Sequence, residues 1–179
     1  GELPAVTAFL AERCARQKME PDGSHFIPGT FCWEMHQRLG AECGATPDGR
    51  RAGFPFADGA GPAQGREKQG PTAAVSSVCS WNHLPMLGGS AFNQRYTAAA
   101  VASKAAREKL KQLIEVFIQR GGFETQINIL DAETLKAAQL HPEEYRDLVV
   151  RIGGYTDYFT GLSPAMQAEV VMRTQYGEL

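Results

Sequence analysis

The chain has 179 residues, 43% hydrophobic and 21% charged, with 18 basic and 20 acidic side chains and a net charge of −2. That composition is ordinary for a globular domain and gives enough chain to bury a core. The charges are mixed, with no basic stripe of the kind that tracks nucleic acid and no apolar run long enough to span a membrane.

The opening stretch GELPAVTAFLAERCARQ lacks the basic-then-apolar pattern of a leader. The expectation is a cytoplasmic protein with no nucleic acid and no membrane among its partners. Cys14, Cys32, Cys43 and Cys79 form no CxxC pair. In a reducing compartment they are expected to be free thiols. Cys32 and His36 share a spacing that a helix would align, but no second ligand pair follows to complete a zinc site.

In chain order, Pro4 to Lys18 reads as a helix with Val6, Phe9 and Leu10 on one side, extended by Cys14 and Met19. PDGSHFIPG is a loop, and TFCWEMHQRLG is ambiguous between irregular backbone and a short helix ended by Gly40. Gly44 to Ser77 is crowded with turn signals and has almost no period. It is too rich in Arg, Phe and Pro for a flexible linker, so it reads as ordered irregular backbone wrapped on a core. TAAVSSVC is expected to enter a strand.

Ala98 to Arg120 reads as one helix, because Leu110, Leu113, Ile114, Phe117 and Ile118 repeat at three and four residues. Gly121 and Gly122 stop it. FETQINIL alternates like a strand, with Glu124, Gln126 and Asn128 on one side, and suits a barrel wall with a polar layer. DAETLKAAQL is a helix capped by Asp131, and HPEEYRDLVV opens another at Pro142. LVV reads as a buried strand. Ser163 and Pro164 start the final helix. Helices alternating with strands give an α/β class. Only two or three strands are visible, too few for a closed parallel sheet, so the chain reads as the tail of a larger α/β fold.

Between the last strand and the last helix stands RIGGYTDYF, Arg151 to Phe159. A tight turn accounts for glycine there without any chemistry. A phosphate cradle would use glycines before a helix, but neither GxGxxG nor GxxxxGK[ST] is present. A third use of a glycine is chemical. Its Cα radical is flanked by an amide nitrogen that donates and a carbonyl that withdraws, and with no Cβ the centre can flatten.

RIGGYTDYF resembles the glycyl radical motif of the pyruvate formate-lyase superfamily. GATPDGRRAG (44–53), GPAQGREKQGPTA (61–73), GGSAFNQRY (88–96) and GGFETQINILD (121–131) resemble further signatures of that family in the same order, and the final helix LSPAMQAEVVMRT resembles its usual ending, with Ser, Gln, an acid and Arg-Thr. The likeness covers about Phe26 to Thr174. It implies the C-terminal part of a ten-stranded α/β barrel, residues 1–97 supplying barrel elements with long ordered loops and residues 98–179 the glycine radical domain. It implies Gly154 as the radical site, with Arg151, Ile152, Gly153 and Tyr155 supporting the loop. Arg151 is expected to anchor it by an ion pair or carbonyl contacts, and Ile152, Tyr155, Tyr158 and Phe159 to shield it.

The same resemblance implies a partner, a radical S-adenosylmethionine activating enzyme with an iron–sulfur cluster, which takes a hydrogen atom from Gly154. The stored glycyl radical then makes a thiyl radical on a cysteine that attacks a small organic substrate, in lyase, dehydratase or acyltransferase chemistry of anaerobic metabolism. The contexts ERCAR, TFCWE, AECGA and SVCSW do not match the family's Gly-Cys loop. The thiyl cysteine is therefore expected in a remaining barrel portion, of the same gene or a separate subunit. Family members are often homodimers. The alternatives are a stand-alone radical carrier or repair subunit, and a non-catalytic module that docks on an activase or barrel. The isolated chain is expected to be catalytically incomplete.

Overall fold

The computed structural model describes residues 3–18, 21–173 and 175–179. In chain order the elements are α1 (Leu3–Arg16), α2 (Met35–Glu42), α3 (Pro71–Val78), β1 (Ala91–Tyr96), α4 (Lys104–Gln119), β2 (Glu124–Ile129), α5 (Ala132–Leu140), β3 (Val149–Arg151), β4 (Thr156–Tyr158) and α6 (Pro164–Met172). The fold is α/β. Its centre is a β1–α4–β2 unit in which the strands pair in parallel, with Asn93 opposite Gln126 and Arg95 opposite Asn128. β3 and β4 form a separate antiparallel hairpin, Arg151 opposite Thr156. Met19 and Thr174, which the sequence reading used, lie outside the described residues.

Alternation along β1 and β2 sorts their side chains to two faces. One face carries Phe92 and Tyr96, which pack with Val75 and Val78 of α3 and Leu113 and Phe117 of α4. The other carries Asn93, Arg95, Gln126 and Asn128 and looks toward α6 and the hairpin. A second core, made of Leu135, Ala138, Val150, Ile152, Phe159, Met166 and Val170, fills the space between α5, α6 and the hairpin. The polar layer expected of FETQINIL therefore exists, and it faces the glycine turn.

Several element boundaries differ from the sequence reading. TAAVSSVC is helical, not extended: Pro71 supplies the first helical position, and Ala74, Val75 and Val78 share one buried face. The Ala98–Arg120 helix is interrupted. A single 3-10 turn, Ala99–Val101, precedes α4, which restarts where Ser103 Oγ accepts from Ala106 N at 3.0 Å. HPEEYRDLVV yields only a 3-10 turn, Pro142–Glu144, before the chain extends into β3. Asp131 sits at the start of α5 but turns away from it, accepting from Ala98 N at 3.3 Å. Ser163 caps α6 as expected, with Pro164 behind it.

The 44–70 segment is ordered and irregular. Arg50 organises it by donating to the carbonyls of Gly40, Gly44, Arg51 and Phe54 while lying 4.4 Å over the Phe56 ring. Gly59 and Ala60 then run along β1, where Ala60 N donates to Ala91 O at 2.7 Å. No helix among the described residues is long and apolar enough to cross a membrane.

Leu135 is fully buried between α5, α6 and the hairpin. Leu135→Ala is expected to cost about 2–5 kcal/mol, the range for a leucine cavity, measured as a shift in urea midpoint at constant slope.

Candidate functional site

Arg151 to Thr156 closes the β3–β4 hairpin. Ile152 N donates to Tyr155 O at 2.9 Å, leaving Gly153 and Gly154 as the two central residues. Gly154 has φ 81°, while Gly153 stays out of the left-handed region. Positive φ at the second central residue alone is the pattern of a type II turn, which asks for glycine there. A Cβ on Gly154 would also overlap the Phe31 ring, 2.7 Å from Cε2. A Cβ on Gly153 would come to 3.0 Å from the carbonyl oxygen of Trp33. Trp33 itself holds φ 48°, a strained conformation for a large side chain. Phe31, Trp33 and Tyr155 make two edge-on ring contacts, at 6.3 and 6.4 Å.

Side-chain amides of β2 fasten this turn to the sheet. Asn128 Oδ1 accepts from Arg151 N at 2.9 Å, and its Nδ2 donates to Arg151 O at 3.1 Å. Gln126 Oε1 accepts from Arg151 Nε at 3.0 Å and from Gly154 N at 3.2 Å. Arg151 thus anchors the loop on the side-chain carbonyl of Gln126 and on the Thr156 hydroxyl at 3.3 Å, and among the described residues it makes no ion pair.

On its other side the turn rests on a buried charge cluster. Arg173, at the end of α6, donates to Ile152 O at 2.7 Å. Its guanidinium meets both oxygens of Glu169 and lies 3.3 Å from Asp58 Oδ2. Gln64 and Asn93 donate to Glu169 and Asp58. His36 Nε2 of α2 stands 3.1 Å from Glu169 Oε1, so the two form a buried charge pair. Both side chains are fully buried.

Burial pushes the Glu169 carboxyl up, yet His36 and Arg173 outweigh it and bring it to about 2. Burial likewise pulls His36 down, but polar contacts with Cys32 and Glu169 and the Glu169 charge raise it to about 9. Arg95 ties the same helix end, donating to Val170 O at 2.6 Å and Val171 O at 3.2 Å. Burial, and next the charge of Arg173, lower it to about 10.

The structure therefore brings Arg151, Ile152, Gly153, Gly154 and Tyr155 together in one turn. Ile152 and Phe159 are fully buried beneath it and Tyr155 is half-buried. Tyr158 is 54% exposed, so the shield expected of it is not there: β4 turns that side chain outward. Tyr155 is held by burial and the nearby Glu34 carboxylate with its phenol raised above the ordinary value. Gly154 itself is exposed. All four cysteines are free, as expected. Cys32 lies against Ala57 O and His36, and no cysteine appears among the described contacts of Gly154.

Sequence reasoning gave no role to His36, Asp58, Gln126, Asn128 or Phe31. The amide run in FETQINIL was the available signal for Gln126 and Asn128. His36 was marked by its helical spacing from Cys32, which it does contact; nothing local marks Asp58 or Phe31, which reach the site through long-range packing. Among the described residues, the cluster with metal-ligand spacing is His141, Glu143 and Glu144, all exposed.

A family profile described as "Glycine radical" matches residues 56–160, more than half of the chain and the whole of the turn. The chain belongs to the glycine radical family. It is 40% identical over 157 residues to the Escherichia coli (strain K12) protein named "Probable dehydratase YbiW", covering 87% of this chain and 19% of that protein. It is 33% identical over 180 residues to the isethionate sulfite-lyase of Bilophila wadsworthia (strain 3_1_6), covering 99% of this chain and 21% of that one. The glycerol-bound B12-independent glycerol dehydratase of Clostridium butyricum superposes with a TM-score of 0.91 at 34% identity, over 97% of this chain and 22% of that one. This glycine radical family chain thus spans about a fifth of the length of the curated relatives it matches.

The buried pair generates a pH prediction. His36 rises from 6.5 to about 9 on folding, so its stabilisation is complete below pH 6.5 and is lost as pH climbs through about 9. Glu169 falls from 4.5 to about 2, so its share is present above pH 4.5 and is lost as pH drops through about 2. The thermal midpoint should decline between pH 6.5 and about 9, and His36→Gln should flatten that decline. Glu169→Ala should cost about 3–5 kcal/mol at neutral pH, because it leaves Arg173 buried with one partner fewer.

Proposed function

We propose that this chain carries the glycyl radical of a pyruvate formate-lyase-like enzyme, stored on Gly154, with Arg151, Ile152, Gly153 and Tyr155 supporting the loop. The observation that carries the reading is the turn itself. Gly154 is an exposed residue with an anchored amide, an aromatic floor and buried apolar neighbours, inside the segment matched by the glycine radical profile. An exposed turn residue is reachable by a partner. A fixed turn holds the radical where it is made.

In this reading a radical S-adenosylmethionine activating enzyme with an iron–sulfur cluster takes one hydrogen atom from the Gly154 Cα, and no cofactor is bound by this chain. The radical then takes hydrogen from a cysteine in a remaining barrel portion, and the thiyl radical acts on a small organic substrate. Dehydratase or lyase chemistry is the class that the relatives' names support. The complete architecture is a ten-stranded α/β barrel in a cytoplasmic protein. Residues 1–97 contribute barrel elements and 98–179 the radical-bearing part, the two sharing the β1–β2 pair. The exposed apolar side chains Phe26, Ile27, Trp33, Leu39, Leu84 and Leu87 support a covering barrel portion.

Electron paramagnetic resonance under strict anaerobiosis, after incubation with activase, reductant and S-adenosylmethionine, tests this. A doublet that collapses on α-deuteration of glycine is expected, and Gly154→Ala should abolish it. Absence of the doublet both alone and with the upstream barrel supplied would sink the assignment. The substitution should also strain the turn, by about 1–3 kcal/mol for a residue forced into the left-handed region. Phe31→Ala alongside it should relieve the ring overlap without restoring the signal.

A further inference from the structure

Gln126 occupies a particular place in this arrangement. Among the described residues, its side chain is the group that hydrogen-bonds both the motif arginine and the amide of the turn glycine. Its orientation is fixed by its partners. Gly154 N and Arg151 Nε are donors and require the oxygen, while the Glu124 carboxylate on the other side requires the NH2 group. Gln126 is 6% exposed, so water does not readily replace these contacts. Asn128, two residues on along the same face, clamps the Arg151 backbone and so fixes the arginine that shares the Gln126 oxygen.

We propose that Gln126 is a positioning residue for the radical on Gly154, setting both the orientation of that glycine's amide and its electron donation. This rests on Gly154 being the radical site. A glycyl radical draws stability from the adjoining amide nitrogen. A carbonyl oxygen that accepts from that N–H pulls density along the N–H bond toward nitrogen. The Glu124 carboxylate, accepting from the Gln126 NH2 group, polarises the side-chain amide and makes its oxygen a better acceptor, while Arg151 shares that oxygen and fixes its place. A purely structural glutamine would keep the turn folded but leave the electronic character of the radical alone.

The test compares Gln126→Leu, which removes the acceptor, with the paired exchange Gln126→Glu plus Glu124→Gln, which keeps an acceptor toward Gly154 and a donor–acceptor contact behind it. Both are made in the enzyme that carries this segment and checked for folding by circular dichroism. Before activation, residue-resolved hydrogen–deuterium exchange by mass spectrometry reads the Gly154 amide. Leucine should speed its exchange roughly five- to tenfold, the scale of one neutral hydrogen bond, and the paired exchange should restore protection. After activation, the nitrogen hyperfine coupling of the radical, read with isotopically labelled glycine, should change with leucine and return in the pair.

Unchanged exchange and unchanged coupling with leucine would overturn the proposal. So would a lower radical yield with the same coupling, which is the result of a merely structural role. A parent enzyme whose doublet is insensitive to glycine deuteration would instead remove the Gly154 assignment, and the inference with it.

Discussion

Arg173 lies almost wholly buried against two carboxylates, and the turn region is arranged around the need to satisfy it. Removing an ion from water costs several kcal/mol, and only good geometry repays that. Here Glu169 meets the guanidinium with both oxygens, Asp58 approaches from the irregular segment, and the Ile152 carbonyl takes a further N–H. Glu169 in turn needs His36 from α2 and Gln64 from the loop. Four segments distant in sequence are thereby drawn to one point under the hairpin.

The double glycine follows from the same crowding. Gly154 meets two steric demands at once, a left-handed φ and the Phe31 ring, while Gly153 lets the Trp33 backbone close to contact. Packing alone therefore explains why both positions lack a side chain. The radical chemistry proposed for Gly154 uses a centre that the fold already requires to be bare. That coincidence is economical: the missing Cβ serves packing, and the same vacancy lets the Cα flatten.

The sequence was informative where periods were long or caps were explicit. β2 alternates over its whole length, α4 repeats its apolar face over 16 residues, and Ser163-Pro164 is a complete helix start. The α/β class followed from those elements. It was misleading where an apolar run is short. TAAVSSVC mixes β-branched and small residues, and the helix start at Pro71 and the Ala74, Val75, Val78 face become decisive once that face is buried against α4. The HPEEY segment has a sound helix start but buries none of Pro142–Glu144, and after one 3-10 turn Tyr145 and Leu148 pack on the second core as the chain extends into β3. The glycine turn was legible as a motif. Its supports were not, because Asp58 and Arg173 are adjacent only after folding, and a single sequence carries no mark of that.

The turn is fastened differently on its two sides. Toward the sheet, the contacts to Gln126 and Asn128 end on neutral amides. Toward α6, they end on a cluster of charges. pH acts on the second fastening far more than on the first, because His36 and Glu169 titrate and the amides do not, while their burial shields the cluster from salt. The hairpin also shares an apolar core with α6 through Val150, Ile152, Met166 and Val170, so a change of pH removes charge from beneath the turn while that packing and the amide contacts to β2 remain.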